Sequence, residues 1–360
     1  MTTDEFYMAR CLQLAKNGEL GAAPNPMVGA VIVCDDKIIG EGYHIRCGCP
    51  HAEVNAFNSV TDGALLSKST LYVSLEPCAH YGRTPPCARL VVEKGVRRVV
   101  VGCVDPFAKV HGRGIQIMRD AGIEVDVGIL EKQCQELNRR FFTFQTHHRP
   151  YIILKWAQTA DGVMGLKYTK SDAPRRLHIS NPCTMLRVHH LRATSSAILV
   201  GYNTALLDNP SLTTRLLDGP NPVRVVLDPN GQLPADLHVF DNSVPTIVAG
   251  WEPNKNISGV NVHFVQINRQ KDFLPQLMQK LYELNLQSLL VEGGASTLNA
   301  FITAGLWDEA HVEHAAMKVG AVQNTPFQSV QIVPAPAISE KPLWLEPLST
   351  SVVYHYRHRQ

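Results

Sequence analysis

The sequence predicts an α/β protein of two domains. Two observations carry that. Short β-branched and aromatic runs alternate along the chain with helical stretches, the pattern that layers helices on a sheet. The 360 residues are 45% hydrophobic and 18% charged, which suffices for two cores of ordinary size. The boundary is expected near His147-His148-Arg149-Pro150, dividing 1–147 from 148–360. No apolar run reaches the roughly 18 residues of a membrane span, and Met1-Thr2-Thr3-Asp4 does not open like a signal peptide. Nine scattered cysteines, an odd number, suggest reduced thiols and a cytoplasmic home. A net charge of +2 without blocks of like charge argues against a nucleic-acid partner.

In chain order, residues 4–17 read as an amphipathic helix with Met8, Cys11, Leu12 and Ala15 on one face. Pro24-Asn25-Pro26 makes a rigid turn into a strand at 30–33. Asn25 reads as turn chemistry or as a contact at a pocket mouth. Asp35-Asp36 is a hairpin turn, followed by a second strand to Gly42. His44 reads as a substrate hydrogen-bonder or as a satisfied structural histidine. A helix opens at His51 behind Pro50. The strand Ser69–Leu75 leads to Cys78, and Cys87 heads a helix over 88–94 closed by Gly95. Val99–Gly102 is a buried strand, and Asp105, just past its carboxyl end, is a substrate contact by position. A helix over 111–121, a strand over 123–127 and a charged helix over 131–142 complete a three-layer domain with a mostly parallel interior.

Chemistry concentrates at His51, Glu53, Cys78 and Cys87. An imidazole and two thiolates leave one tetrahedral position on zinc open, the mark of a catalytic site. Zinc lowers the pKa of bound water from ~16 towards ~7. Glu53, two residues from a ligand, is placed to shuttle the proton, and H-x-E followed by P-C is a signature of nucleobase deaminases. Cys87, at a helix N-terminus, is expected to have a depressed pKa. The bland alternative is a buried histidine with two core cysteines. Four residue types in the right order on the right elements favour zinc. Cys47 and Cys49 invite a richer metal site, but three ligands and water already complete the coordination.

In the second segment 150–156 is a buried strand. Its Lys155 either snorkels to a strand end or contacts a phosphate or substrate. Ser180-Asn181-Pro182 starts a helix that runs to about Arg192. Strands follow at 196–201, 222–228, 245–249 and 287–292. Gly293-Gly294 then turns into a helix from Ala295, either an anion site or merely a tight connection. The last forty residues are strand-like and Pro-rich, with no legible chemistry.

Eight residues separate Cys78 from Cys87, against two in the general deaminase signature. With that spacing, HAEVNA and LYVSLEPCAHYGRTPPCARLVVEKGVRRVVVGCVDP closely resemble the deaminase half of the bifunctional riboflavin-biosynthesis deaminase–reductases. The second segment resembles their reductase half. The resemblance implies a cytidine-deaminase-like domain, then a dihydrofolate-reductase-like α/β domain, using zinc and NADPH on a phosphorylated pyrimidine. It implies removal of the 2-amino group of a 2,5-diaminopyrimidinone phosphoribosyl compound, then hydride transfer to C1′ of its opened ribose. It places Asn25, His44, His80 and Asp105 at the deaminase substrate. At the reductase substrate it places Lys155, Arg176, Arg192, Leu212, Arg215 and Glu292. It places Gln158, His178, Thr204, Asp208, Pro229, Gly294, Ala295, Ser296 and Thr297 at NADPH. Arg192 and Arg215 are expected to converge on one phosphate as guanidinium forks.

Two departures from the family stand out. Phe107 replaces an asparagine, leaving Lys109, His111 and Arg113 to compensate at a phosphate, and His178 replaces a tryptophan. Homo-oligomers are common for such enzymes. Two rivals are a nucleic-acid-editing deaminase with an accessory domain and a non-catalytic zinc module whose second half is a binding domain; a milder variant is a deaminase with a dead reductase half.

Overall fold

The structure is a computed structural model that describes the chain except for residues 82–84, 108–109, 168–176, 320–330 and 359–360. Arg176 and Lys109 therefore lie outside the described residues. The chain divides into two compact units, Met1–His148 and Arg149–Gln360.

In the first unit α1 (Thr3–Lys16) starts with a capping box, Thr2 and Glu5 each accepting the other's backbone N–H. β1 (Gly29–Cys34) and β2 (Lys37–Tyr43) form a hairpin. Its turn residues Asp35 and Asp36 have φ of 48° and 57°, the left-handed pair whose twist matches such strands. Then come α2 (Ala52–Asn58), β3 (Thr70–Val73), α3 (Cys87–Lys94), β4 (Arg98–Val101), α4 (Arg113–Asp120) and β5 (Glu124–Val127). The sheet order is β2-β1-β3-β4-β5. Period-2 alternation sends Ile32, Leu71, Val73, Val99 and Val101 to one core, shared with α2, α3 and α4. Val31, Val33, Tyr72 and Val100 go to the other, shared with α1. Those are the three layers expected.

Two details differ from expectation. The pairing is not mostly parallel: β1 runs antiparallel to both its neighbours β2 and β3, and the parallel pairs are β3 with β4 and β4 with β5. A two-residue hairpin leaves β1 and β2 no other choice. The charged helix over 131–142 is two helices, α5 (Glu131–Leu137) and α6 (Arg139–His147). Asn138 breaks them because its buried amide accepts the Met27 N–H and donates to the Met27 carbonyl, both at 2.8 Å.

The second unit runs β6 (Tyr151–Gln158), β7 (Val163–Leu166), α7 (Pro182–Ala193), β8 (Ala197–Val200), α8 (Tyr202–Asp208), β9 (Val223–Leu227), β10 (Thr246–Gly250) and β11 (Val262–Gln266). It continues with α9 (Phe273–Glu283), β12 (Ser288–Val291), α10 (Ala295–Thr303), β13 (Glu309–Ala315), β14 (Ile332–Pro334), β15 (Trp344–Leu348) and β16 (Ser351–Arg357). Among the described residues the main sheet is ordered β11-β10-β9-β8-β12-β6-β13-β16-β15, parallel up to β13 and antiparallel beyond it. All four residues of central β12 are buried, as expected of a parallel strand covered on both faces. α7 begins at Asn181, whose side chain accepts the Cys183 and Thr184 N–H groups. β7, α8, β11, α9 and β13 are absent from the sequence reading. β15 and β16, within the tail that showed no chemistry, complete one edge of the sheet. No helix among the described residues is long and apolar enough to cross a membrane.

Candidate functional site

In the first unit the site is built on the starts of α2 and α3 and on the segment that follows β3. His51 is the residue before α2, and Glu53 lies in its first turn. Cys87 is the first residue of α3. His51 Nδ1 lies 3.3 Å from Cys87 Sγ and 3.7 Å from Cys78 Sγ. A tetrahedral zinc with these ligands has N–S edges of about 3.6 Å, so the three donors fit the metal. Among the described residues these three are the group of histidine, cysteine and acidic side chains that converges this closely. Cys47 and Cys49 are exposed and outside it.

The depressed thiol is not the one expected. The helix-end N–H of Cys87 donates to Cys78 Sγ at 3.2 Å, and the Cys87 thiol and His51 also hydrogen-bond that sulfur. Cys78 is therefore pulled down, while its thiolate and burial push Cys87 up. A helix N-terminus stabilises the anion its N–H groups point at, and here that is the neighbour's sulfur. Glu53 is 3% exposed, and burial pushes its carboxyl up to about 7.

Around this cluster His44 is buried and satisfied at both nitrogens. Its Nδ1 donates to the Pro50 carbonyl at 3.2 Å, and its Nε2 accepts from Asn25 Nδ2 at 3.1 Å. Burial lowers its pKa, in keeping with a neutral ring. It thus orients Asn25, beside His51 (ring centroids 5.4 Å apart). Asp105 follows β4; burial raises its carboxyl to about 6, and one oxygen accepts the Phe107 N–H at 2.8 Å. Phe107 packs its ring edge-on to His80, centroids 6.0 Å apart. His80 and Arg113 line a cavity of about 680 Å³ beside α4.

Sequence reasoning missed Glu76. Its buried carboxylate accepts backbone N–H groups from Asp105 (3.2 Å), Gly112 (2.9 Å), Gly114 (2.9 Å) and Ile115 (3.3 Å). It caps α4 and fixes Asp105 together. The only hint in the sequence was an acid inside Leu75-Glu76-Pro77, where an apolar strand ends.

In the second unit the expected residues gather on two features. The first is a charged cluster. The Arg192 fork closes on Glu292 at 2.8 and 2.7 Å, and its Nη1 donates to the Thr213 carbonyl at 3.1 Å. Burial works to raise the Glu292 pKa, but Arg192 and Lys155 outweigh it and leave the carboxylate below its ordinary range. Lys155 points to the same place. Burial lowers its pKa against the pull of Glu292 and Glu313. The picture of two forks on one phosphate needs correction: Arg192's fork is spent on Glu292, whereas the exposed side chain of Arg215 makes no hydrogen bond or ion pair among the described residues. Glu313, also missed, is buried and accepts the hydroxyls of Ser180 (2.6 Å) and Thr184 (2.9 Å), tying the start of α7 to the sheet.

The second feature lies at the carboxyl ends of neighbouring parallel β8, β9 and β12, where α/β folds place ligands. Gly294 has φ of 61°, and α10 starts with no side-chain cap, leaving the N–H groups of Ala295, Ser296 and Thr297 without helical acceptors. A side chain on Gly294 would come 3.0 Å from the Thr204 hydroxyl, and one on Gly201 would strike that of Thr297. This bare cradle of N–H and hydroxyl donors fits the phosphates of a dinucleotide. Pro229 follows β9, Asp208 ends α8, and Gln158 ends β6 with its amide oxygen accepting the Trp156 indole N–H. His178 is exposed. Leu212 is buried with φ of 54°.

Residues 1–103 match the cytidine and deoxycytidylate deaminase zinc-binding region, and residues 150–345 match the RibD C-terminal domain. Fold and sites together define a zinc-dependent deaminase joined to an NADPH-dependent reductase. The chain is 42% identical to the riboflavin biosynthesis protein RibD of Aquifex aeolicus over 313 residues, 85% of each. It is 36% identical to that of Escherichia coli over 333 residues, 88% of this chain and 89% of the relative. A solved RibD structure from Acinetobacter baumannii superposes with a TM-score of 0.87 at 34% identity over 99% of both chains. A deaminase/reductase from Thermotoga maritima gives 0.83 at 34% identity over 99% and 98%. The chain belongs to the RibD family, the bifunctional deaminase–reductases of riboflavin biosynthesis. The editing-deaminase and zinc-module readings are not favoured.

Proposed function

We propose that residues 1–147 deaminate 2,5-diamino-6-(5-phosphoribosylamino)pyrimidin-4-one and that residues 148–360 reduce the product's ribosyl group to ribityl, in the cytoplasm. The observation that carries the first half is the convergence of His51, Cys78 and Cys87 with buried Glu53 alongside. His51, Cys78 and Cys87 would hold zinc, which supplies a hydroxide equivalent at neutral pH. Glu53 accepts the proton of the attacking water and returns it to the exocyclic nitrogen at C2, which leaves as ammonia. Asn25, oriented by His44, and Asp105, held by Glu76, hydrogen-bond the pyrimidine. His80 and Phe107 wall it.

In the reductase the amides of Ala295, Ser296 and Thr297, with Gly294, Thr204, Asp208, Pro229, Gln158 and His178, would hold NADPH, which would supply the hydride for C1′. Lys155 and Arg215 hold the phosphorylated chain. Glu292 keeps Lys155 and Arg192 charged and aligned, and Leu212 packs at the substrate.

The test is NADPH oxidation by purified protein given only the deaminase substrate, before and after a zinc chelator. Oxidation that stops on chelation is expected. Ammonia release without oxidation would sink the reductase half, and oxidation that survives chelation would sink the zinc half.

A further inference from the structure

His189 takes no part in the chemistry described so far, yet its placement is specific. It lies in α7, wholly buried. The backbone N–H of Arg215 donates to its Nδ1 at 3.0 Å. Nδ1 is therefore an acceptor, and the ring proton sits on Nε2. That second nitrogen is buried and has no partner among the described residues. An unpaired buried donor is destabilising, so packing alone does not account for a histidine here. Leucine would fill similar space without the cost. What leucine cannot do is accept from Arg215.

The segment that His189 holds includes an unfavourable backbone conformation. Leu212 takes a left-handed φ of 54°, which disfavours a branched side chain. α7 grips this segment twice: Arg192 donates to the Thr213 carbonyl at 3.1 Å, and three residues earlier His189 accepts from Arg215. Thr214 is tied separately to Asn221 and Pro220. Arg215 is thus fixed at its backbone while its guanidinium stays exposed. Burial, with Arg192 and Arg215 nearby, lowers the pKa of His189 to about 4, so the ring remains an acceptor at neutral pH.

We infer that His189 is a positioning residue for the reductase substrate: its Nδ1 anchors the backbone of Arg215 so that the guanidinium meets the substrate's phosphate. The inference rests on the proposed role of Arg215 as a phosphate contact, and the experiment separates the two.

Reductase kinetics are measured on the full chain with the deaminated phosphoribosyl substrate supplied directly and NADPH saturating, for His189→Asn, His189→Gln, His189→Leu and Arg215→Ala. Asparagine places an acceptor oxygen near the position of Nδ1; glutamine places its amide near Nε2 instead. His189→Asn is expected within about threefold of the parent KM. His189→Gln and His189→Leu are expected to raise the substrate KM about tenfold, the effect of one lost hydrogen bond. The KM for NADPH should stay unchanged and kcat should move little. Should leucine prevent folding, the asparagine–glutamine pair decides. Equal KM values for that pair, or a loss confined to kcat, would overturn the inference. A normal KM for Arg215→Ala would instead overturn the phosphate role of Arg215.

Discussion

At the scale of single residues, the proposed deaminase chemistry rests on one carboxyl held out of water. Glu53 is buried, and that burial raises its pKa to about 7. Glu53→Gln keeps the shape and removes the proton shuttle. Ammonia release should fall by about 10²–10⁴-fold, the usual worth of a general acid–base group. Zinc content measured by atomic absorption should be unchanged, because the three metal ligands remain. Loss of zinc together with activity would mean that Glu53 supports the metal site instead. Glu53 was legible because it lies two positions from a ligand on one helical turn. The thiol assignment was not: Cys87 sits at the helix end, but that end's N–H points at Cys78.

At the scale of elements, α4 is the clearest case of an element placed by a residue far from it in sequence. Its first-turn N–H groups converge on the Glu76 carboxylate, which also holds the N–H of Asp105. Hydrogen bonds to a charged acceptor are worth about 1.5–3 kcal/mol each, so this carboxylate outweighs any single cap. Glu76→Ala would leave several buried donors unpaired. Loss of about 3 kcal/mol or more of stability is expected in urea unfolding, with a raised KM for the deaminase substrate as Asp105 loosens. A variant with parent stability would show that water replaces the carboxylate. Asn138 acts in the same way on a smaller scale, breaking a helix in order to hold Met27.

At the scale of the molecule, the chain holds two compact units, each with its own sheet and its own candidate site. The zinc ligands all belong to the first. Chelation should therefore abolish ammonia release while leaving NADPH oxidation intact when the already deaminated substrate is supplied. Loss of both activities on chelation would mean that the metal also supports the second unit.

By itself the sequence determined what depends on neighbours along the chain. The two layered α/β units, the hairpin at Asp35-Asp36, the starts of α2, α3, α7 and α10, and His51, Glu53, Cys78 and Cys87 all followed from periodicity, caps and spacing, and the family resemblance followed from those residues. Tertiary structure alone decided what depends on partners far away. Arg192 spends its fork on Glu292, 100 positions on, and the Arg215 side chain stays exposed. Glu76 gathers N–H groups from residues 105 to 115, Glu313 ties down α7, and His189 meets Arg215. The physical reason is common to them all. These carboxylates and the imidazole take backbone N–H groups or distant side chains as partners, and a backbone N–H carries no residue identity to read. Which charge pairs with which is fixed only once burial removes water as the competing partner.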